Sequence, residues 1–337
     1  MDTLTKPISA PRRRTTADTV YPILLLVSVT HLLNDMMQSV IPAVYPLLKA
    51  KFGFSFAQIG LITLVFQMTS SILQPFVGRY ADRHPRPYSL AAGMCFTLAG
   101  LFALALAPGF APILLAVALI GWGSSIFHPE SSRVAQLASG GRKGLAQSIF
   151  QVGGNAGSAF GPLLAALVVI PYGQTSIMWF APAALLAIGI LLRIGNWYKR
   201  QLNAATAAPV TATAAAAELP RRKIRRALLI LTVLVFSKYF YIACMTNYFT
   251  FFLMDKFAFS VQDAQYSLFA FLAASAAGTV IGGPLGDRIG RKYVIWGSIL
   301  GAAPFALMLP YAGSGSAVAL AILVGLIISS AFSAIVV

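Results

Sequence analysis

An all-helical membrane protein made of two repeated halves is the fold class this sequence predicts, and three observations predict it. Hydrophobic residues make up 58% of the 337 and charged residues 10%, too little polar surface for a soluble domain of this length. The apolar residues gather into runs of roughly the 20 residues that a bilayer core requires. Finally, Lys51-Phe52-Gly53-Phe54-Ser55 returns 205 positions later as Lys256-Phe257-Ala258-Phe259-Ser260. The same gapless offset turns Gly78, Asp82, Arg83 and Arg86 into Gly283, Asp287, Arg288 and Arg291. Ten positions between 51 and 86 are identical at that offset, where composition alone gives about two or three. Two parallel repeats in a membrane imply a transporter, because the seam between halves is where alternating access takes place.

The elements follow in order. A tail at 1–19 ends in Arg12-Arg13-Arg14, and the first span runs near 20–48. His31, Asn34, Asp35 and Gln38 interrupt that span and no small-residue cleavage site follows it, which excludes a cleavable signal. Further spans are expected near 57–78, 88–107, 111–138, 144–170 and 174–196, completing a six-helix half over 20–196. Residues 204–217 are Ala/Thr-rich without an apolar stripe, so 197–225 is predicted to be a linker. Spans near 226–254, 262–283, 292–311 and 315–337 then build a second half over 226–337. By the repeat offset that half should extend to about 401, which predicts about 64 residues beyond Val337 and a parent of twelve spans.

The net charge of +16 points to topology and not to nucleic acid. Alternate loops hold 21 of the 25 Lys and Arg residues, and the opposite loops hold Lys49, Lys51 and Lys256. The positive-inside rule therefore predicts a multi-pass protein with a cytoplasmic N-terminus and a cytoplasmic central linker. Cys95 and Cys244 both fall within spans, so neither a disulfide nor a metal is indicated, and no cofactor is expected. No HExxH stands in the chain, and runs such as Gly123-Ser124-Ser125 lack a positioned base, which argues against an intramembrane enzyme.

Three groups of residues carry chemistry. The loop residues Gly78, Asp82, Arg83 and Arg86, with Gly283, Asp287, Arg288, Gly290 and Arg291, form two copies of a small residue, an acid and several bases. This pattern suits a conformational latch between helix ends. The second copy is the more regular. The fifth span carries Gly153, Gly157, Gly161 and Pro162, where glycines four apart allow close helix packing and the proline frees a carbonyl.

The third group is ionisable. A charge inside a bilayer costs about 2.5–3.5 kcal/mol on insertion scales, so such residues are functional by default. His31 and Asp35 stand four apart on one face of the first span, with Asn34 beside them and Gln38 continuing it. The fourth span holds His128 and Glu130, and the seventh holds Lys238 followed by Tyr241. A carboxyl whose surroundings alternate between dry and wet takes up and releases protons, and imidazoles titrate near physiological pH. His31, Asp35, His128 and Glu130 are therefore expected to couple protons. Lys238, Tyr241, Gln38 and Asn34 are expected to meet a substrate, the lysine taking an anionic group. A plain structural alternative pairs Asp35 with Lys238 and Glu130 with Arg133 to neutralise buried charge.

The loop Gly283-Pro-Leu285-Gly-Asp287-Arg288-Ile-Gly290-Arg291-Lys292 resembles the G-x-L-x-D-R-x-G-R-K loop of the major facilitator superfamily. The fifth-span glycines are similar to the antiporter motif of that superfamily, although Ala165-Ala166 replace its usual Gly-Gly. The strings HLLNDM (31–36), GSSIFHPESSRVA (123–135), GLAQSIFQVGGN (144–155), FSKYFY (236–241) and GTVIGGPLGDRIGRKYVIWGSILG (278–301) resemble the fosmidomycin-resistance exporters within it. That resemblance implies a twelve-helix, monomeric inner-membrane antiporter that exports a phosphonate antibiotic against inward proton flow. Its partners would be a small molecule, protons and membrane lipid. Two alternatives use the same residues: a transporter of an unrelated physiological solute, or a transporter-like sensor that moves nothing.

Overall fold

The computed structural model describes residues 18–206 and 221–336. The predicted tail before Asp18 and the middle of the predicted linker lie outside the described residues, as do the side chains of Gly283, Asp287 and Arg291. Among the described residues, ten helical segments are long and apolar enough to cross a membrane: α1 Tyr21–Phe52, α2 Phe56–Arg83, α3 Ser89–Leu106, α4 Phe110–Leu137, α5 Lys143–Tyr172, α6 Gln174–Ala204, α7 Ile224–Phe257, α8 Val261–Gly286, α9 Lys292–Tyr311 and α10 Ser314–Ala331. No strand occurs among the described residues, as expected where water cannot satisfy a sheet edge. Helix continues through the predicted linker edges, to Thr206 on one side and from Arg221 on the other.

The repeat has a structural meaning at each of its ends. Gly53 closes α1 with φ of 68°, and Ala258, its counterpart after α7, holds φ of 53°. The same left-handed stop is thus made twice, once with glycine and once with a residue that pays for its Cβ. Two residues on, Ser55 accepts a hydrogen bond from the Gln58 amide at 3.3 Å and Ser260 accepts one from the Asp263 amide at 3.0 Å. Both serines cap the helix that follows.

The interior is divided. One apolar core runs through α1 to α6, around Leu24, Met37, Ile59, Met94, Phe127 and Leu191. A second sits among α7, α8 and α10 around Phe249, Leu268 and Phe271. Cys95 and Cys244 are both free and exposed.

Because the helices alternate in direction, the Arg-rich loops collect at one end of the bundle, here the basic end. The far end carries the loops at Gly53 and Ala258. Hydrogen bonds join the two halves at the far end: Thr63 Oγ1 to Asn247 Oδ1 at 2.9 Å, Gln265 Nε2 to the Ala43 carbonyl at 2.7 Å, and Gln262 Nε2 to the Ala166 carbonyl at 3.3 Å. Phe56 and Phe251 pack edge to face beside them, with centroids 5.2 Å apart.

Candidate transport site

Small residues set the geometry of the site. At Gly153 and Gly157 a Cβ would run into the carbonyl oxygens of Ser28 and Leu32, and at Gly161 into the Ser39 hydroxyl. The α5 glycine stripe therefore lies directly on the backbone of α1, the close approach that such stripes permit. Gly154, one residue off the stripe, leaves a slot for the imidazole of His31. Phe150 stacks on that ring at 4.0 Å, and the Phe150 carbonyl lies 2.8 Å from His31 Nδ1.

A carbonyl can only accept, so His31 Nδ1 carries a proton and Nε2 is left facing Asp35 Oδ2 at 3.3 Å. His128 repeats the arrangement from α4. Its Nδ1 lies 3.0 Å from the Ser124 carbonyl, and its Nε2 lies 3.4 Å from Asp35 Oδ1. Asn34, fully buried, donates from Nδ2 to the same Oδ1 at 3.0 Å. The result is one carboxylate held between two histidines, each fixed by its own backbone carbonyl. Donor atoms of the three groups lie within 4.8 Å of one another, so a proton or a cation could bridge them. The ion-pair partners of Asp35 are these histidines; the alternative that pairs it with Lys238 is not what the geometry forms.

Asp35 and His128 open onto a cavity of about 270 Å³ between the halves. Gln38, Tyr45, Thr63, Ser158, Tyr239 and Asn247 are among its other walls. Lys238, 4% exposed, lines a second cavity of about 160 Å³ alongside. Tyr241 packs against the apolar cores of the second half instead of lining either cavity. Sequence spacing placed Tyr241 on the face of Lys238. The cavity face of α7 is in fact 239, 242, 243 and 246, with Lys238 at its edge. Ser158, Thr63, Tyr239 and Asn247 were not singled out from sequence, although a polar Asn247 within an apolar span was a usable signal.

Glu130 belongs elsewhere. Two residues turn a helix by about 200°, so Glu130 faces away from His128. Its Oε1 lies 3.4 Å from Arg133 Nη1, and its Oε2 accepts from Ser89 Oγ at 3.2 Å. Arg133 also donates to the Ala81 carbonyl at 2.6 Å, to Asp82, and to the Tyr198 hydroxyl at 3.4 Å. One guanidinium so ties the ends of α2, α4 and α6 at the basic end, and Glu130 adds α3 through Ser89. A Cβ at Gly78 would meet Pro129 at ordinary contact distance, so this glycine is not forced by space, while Arg83 and Arg86 are exposed. In the second copy Arg288 is exposed and Gly290, φ 97°, ends the helix that contains α8.

Residues 27–337 match the model of the Major Facilitator Superfamily. The chain belongs to that family. Among curated relatives, the fosmidomycin resistance protein of Escherichia coli (strain K12) is 57% identical over 333 residues, covering 98% of this chain and 82% of that protein. The MFS-type transporter YfnC of Bacillus subtilis (strain 168), itself uncharacterised, is 43% identical over 335 residues, with the same coverage of 98% and 82%. A bacterial homologue of the human lysosomal transporter Spinster, solved inward-facing and occupied, superposes with a TM-score of 0.73 at 17% identity. That alignment covers 95% of this chain and 74% of the other. A D-xylose–proton symporter gives 0.68 at 15% identity over 93% and 80%. As a Major Facilitator Superfamily member this is a multi-pass transporter of small molecules, not an enzyme.

The Gly154 slot yields a test. Gly154→Ala places a methyl group against the imidazole, an overpacking that costs about 1–3 kcal/mol. Combining it with His31→Ala removes the obstruction, so the double variant is expected to recover most of the loss. Thermal unfolding midpoints of the detergent-solubilised variants measure both effects.

Proposed function

We propose that this protein exports a small anionic drug of the phosphonate class in exchange for protons, by alternating access. The observation that carries the reading is the His31–Asp35–His128 cluster in the wall of a cavity between the halves. His31 Nδ1 is committed as a donor to a carbonyl and His128 Nδ1 faces both the carbonyl and the hydroxyl of Ser124, so each Nε2···O contact with Asp35 is attractive when that Nε2 holds a proton. With none, the cluster carries a single negative charge and two lone-pair contacts. With two, it carries a single positive charge and both contacts are bonded. The cluster can therefore load and release protons without moving its heavy atoms far. The likeness to a fosmidomycin resistance protein supports a phosphonate drug as the exported solute.

The Arg-rich loops support a cytoplasmic basic end in a bacterial inner membrane. With that orientation the far end, where hydrogen bonds join the halves, faces outward, and substrate would enter the cavities from the cytoplasm. Residues 20–196 and 226–337 would then move as the two bodies of the cycle, and the Arg133–Asp82 and Gly283–Arg291 loops would latch them at the cytoplasmic side.

The test is a flux measurement with purified protein in liposomes. An acidic compartment on the far-end side should drive fosmidomycin towards it, against its own gradient, with protons returning. Drug movement that only equilibrates, whatever the pH difference, would overturn the exchange mechanism.

A further inference from the structure

The second cavity has a chemistry of its own. Lys238 reaches it from α7, Asn155 and Ser158 from α5, Ser275 and Thr279 from α8, and Ser329 from α10. Gln151 Nε2 donates to Asn155 Oδ1 at 3.0 Å, which leaves the Asn155 NH₂ to donate in another direction. Ser275 Oγ donates to the Phe271 carbonyl and Thr279 Oγ1 to the Ser275 carbonyl, so the groups placed to donate into the space are one ammonium, one amide and the hydroxyls of Ser158 and Ser329, from three helices. A carboxylate is flat and has two oxygens; a tetrahedral head with three oxygens can engage groups arriving from several directions at once. The volume of about 160 Å³ equals about five water molecules at roughly 30 Å³ each, room for one such head and a short stem.

The carboxylate of Asp35 does not line this space. It lines the neighbouring cavity, and the two share Ser158, Tyr239, Ile242 and Leu272 as a partition. An anion beside Lys238 is thereby kept from direct contact with the histidine–aspartate cluster, whose unprotonated form carries negative charge and would repel it. We infer that the Lys238 cavity is a separate subsite for the tetrahedral dianionic head of a phosphonate or phosphate monoester, walled off from the proton-binding cavity. This rests on the exporter reading for its place in the cycle, but not for its chemistry. Its donors are divided between α5 of one half and α7 and α10 of the other, so separation of the halves would dismantle it and release the anion.

The experiment is calorimetric titration of the detergent-purified protein with methylphosphonate, acetate and acetohydroxamate. Methylphosphonate is expected to bind at least about tenfold more tightly than either of the others. Loss of a charged hydrogen-bond donor should weaken it about 10- to 100-fold in Lys238→Gln. Ser329→Ala, a milder change that keeps the charge, should weaken it several-fold, and unfolding midpoints identify any variant that has lost its fold. Equal methylphosphonate affinity in folded Lys238→Gln, or acetate binding as tightly as methylphosphonate, would overturn the subsite. Short-chain phosphatidic acid forms a further arm: failure to compete supports a free small anion, and full competition would overturn that assignment in favour of a lipid head. Proton-driven flux without Lys238-dependent binding would remove the subsite and leave the exporter. Lys238-dependent binding without such flux would do the reverse.

Discussion

Asp35→Asn is expected to abolish proton-driven drug movement while drug-for-drug exchange persists. Asparagine keeps the shape of the side chain, and its NH₂ and carbonyl can still reach the two histidines 3.3 and 3.4 Å away. What disappears is the charge that makes a proton on either Nε2 favourable, and with it the difference between the loaded and empty cluster. The variant should therefore fold, insert and exchange, yet give no uphill efflux under an imposed pH difference. Proteoliposome flux with and without the gradient measures it. Undiminished uphill movement in Asp35→Asn would sink the assignment of the proton site. His128→Gln should show a partial loss, since His31 Nε2 still faces the carboxylate.

The largest effect on stability is expected from Arg133→Ala. Glu130 is 1% exposed, and removal of the guanidinium 3.4 Å away leaves its carboxylate with Ser89 as a donor. Breaking a buried pair from one side costs about 3–5 kcal/mol. Arg133 itself is 19% exposed, which puts the expected loss at the lower end of that range. The Ala81 carbonyl and the Tyr198 hydroxyl also lose their donor. Adding Glu130→Gln removes the stranded charge and should restore most of the stability, whereas Asp82→Asn alone should cost under about 1 kcal/mol, because Asp82 is 73% exposed. Unfolding midpoints of the solubilised variants decide the matter, and an Arg133→Ala protein as stable as its parent would refute the network.

Much of this architecture was legible in the chain. Hydropathy located all ten spans, and the 205-residue offset matched not only sequence but a left-handed stop and a serine cap at both copies. The His31–Asp35 pair could be read from helical spacing, since both partners sit on one helix. His128 was named as a proton-coupling group, but its contact with Asp35 was not read, because His128 comes from α4 and only packing brings it to Asp35. Adjacency misled at Glu130, which shares two-residue proximity with His128 but looks the other way. Tyr241 was misplaced for a similar reason: an apolar helix gives no sequence mark of which arc meets a cavity. Ser158 lay hidden among the small residues of α5, whose stripe announced packing and concealed a wall shared by both cavities.

The contact of α5 with α1 has a mechanical consequence. Backbone laid on backbone at Gly153 and Gly157 leaves little freedom to slide, and the ring of His31 is wedged into the same joint. The two helices must travel as one beam. That beam carries Asp35 on one member and Asn155 and Ser158 on the other, so it holds part of the cation's seat and part of the anion's. On the exporter reading, any tilt of that beam would displace both seats together, and the coupling of proton to anion would be the work of a lever and not of a signal passed between distant sites.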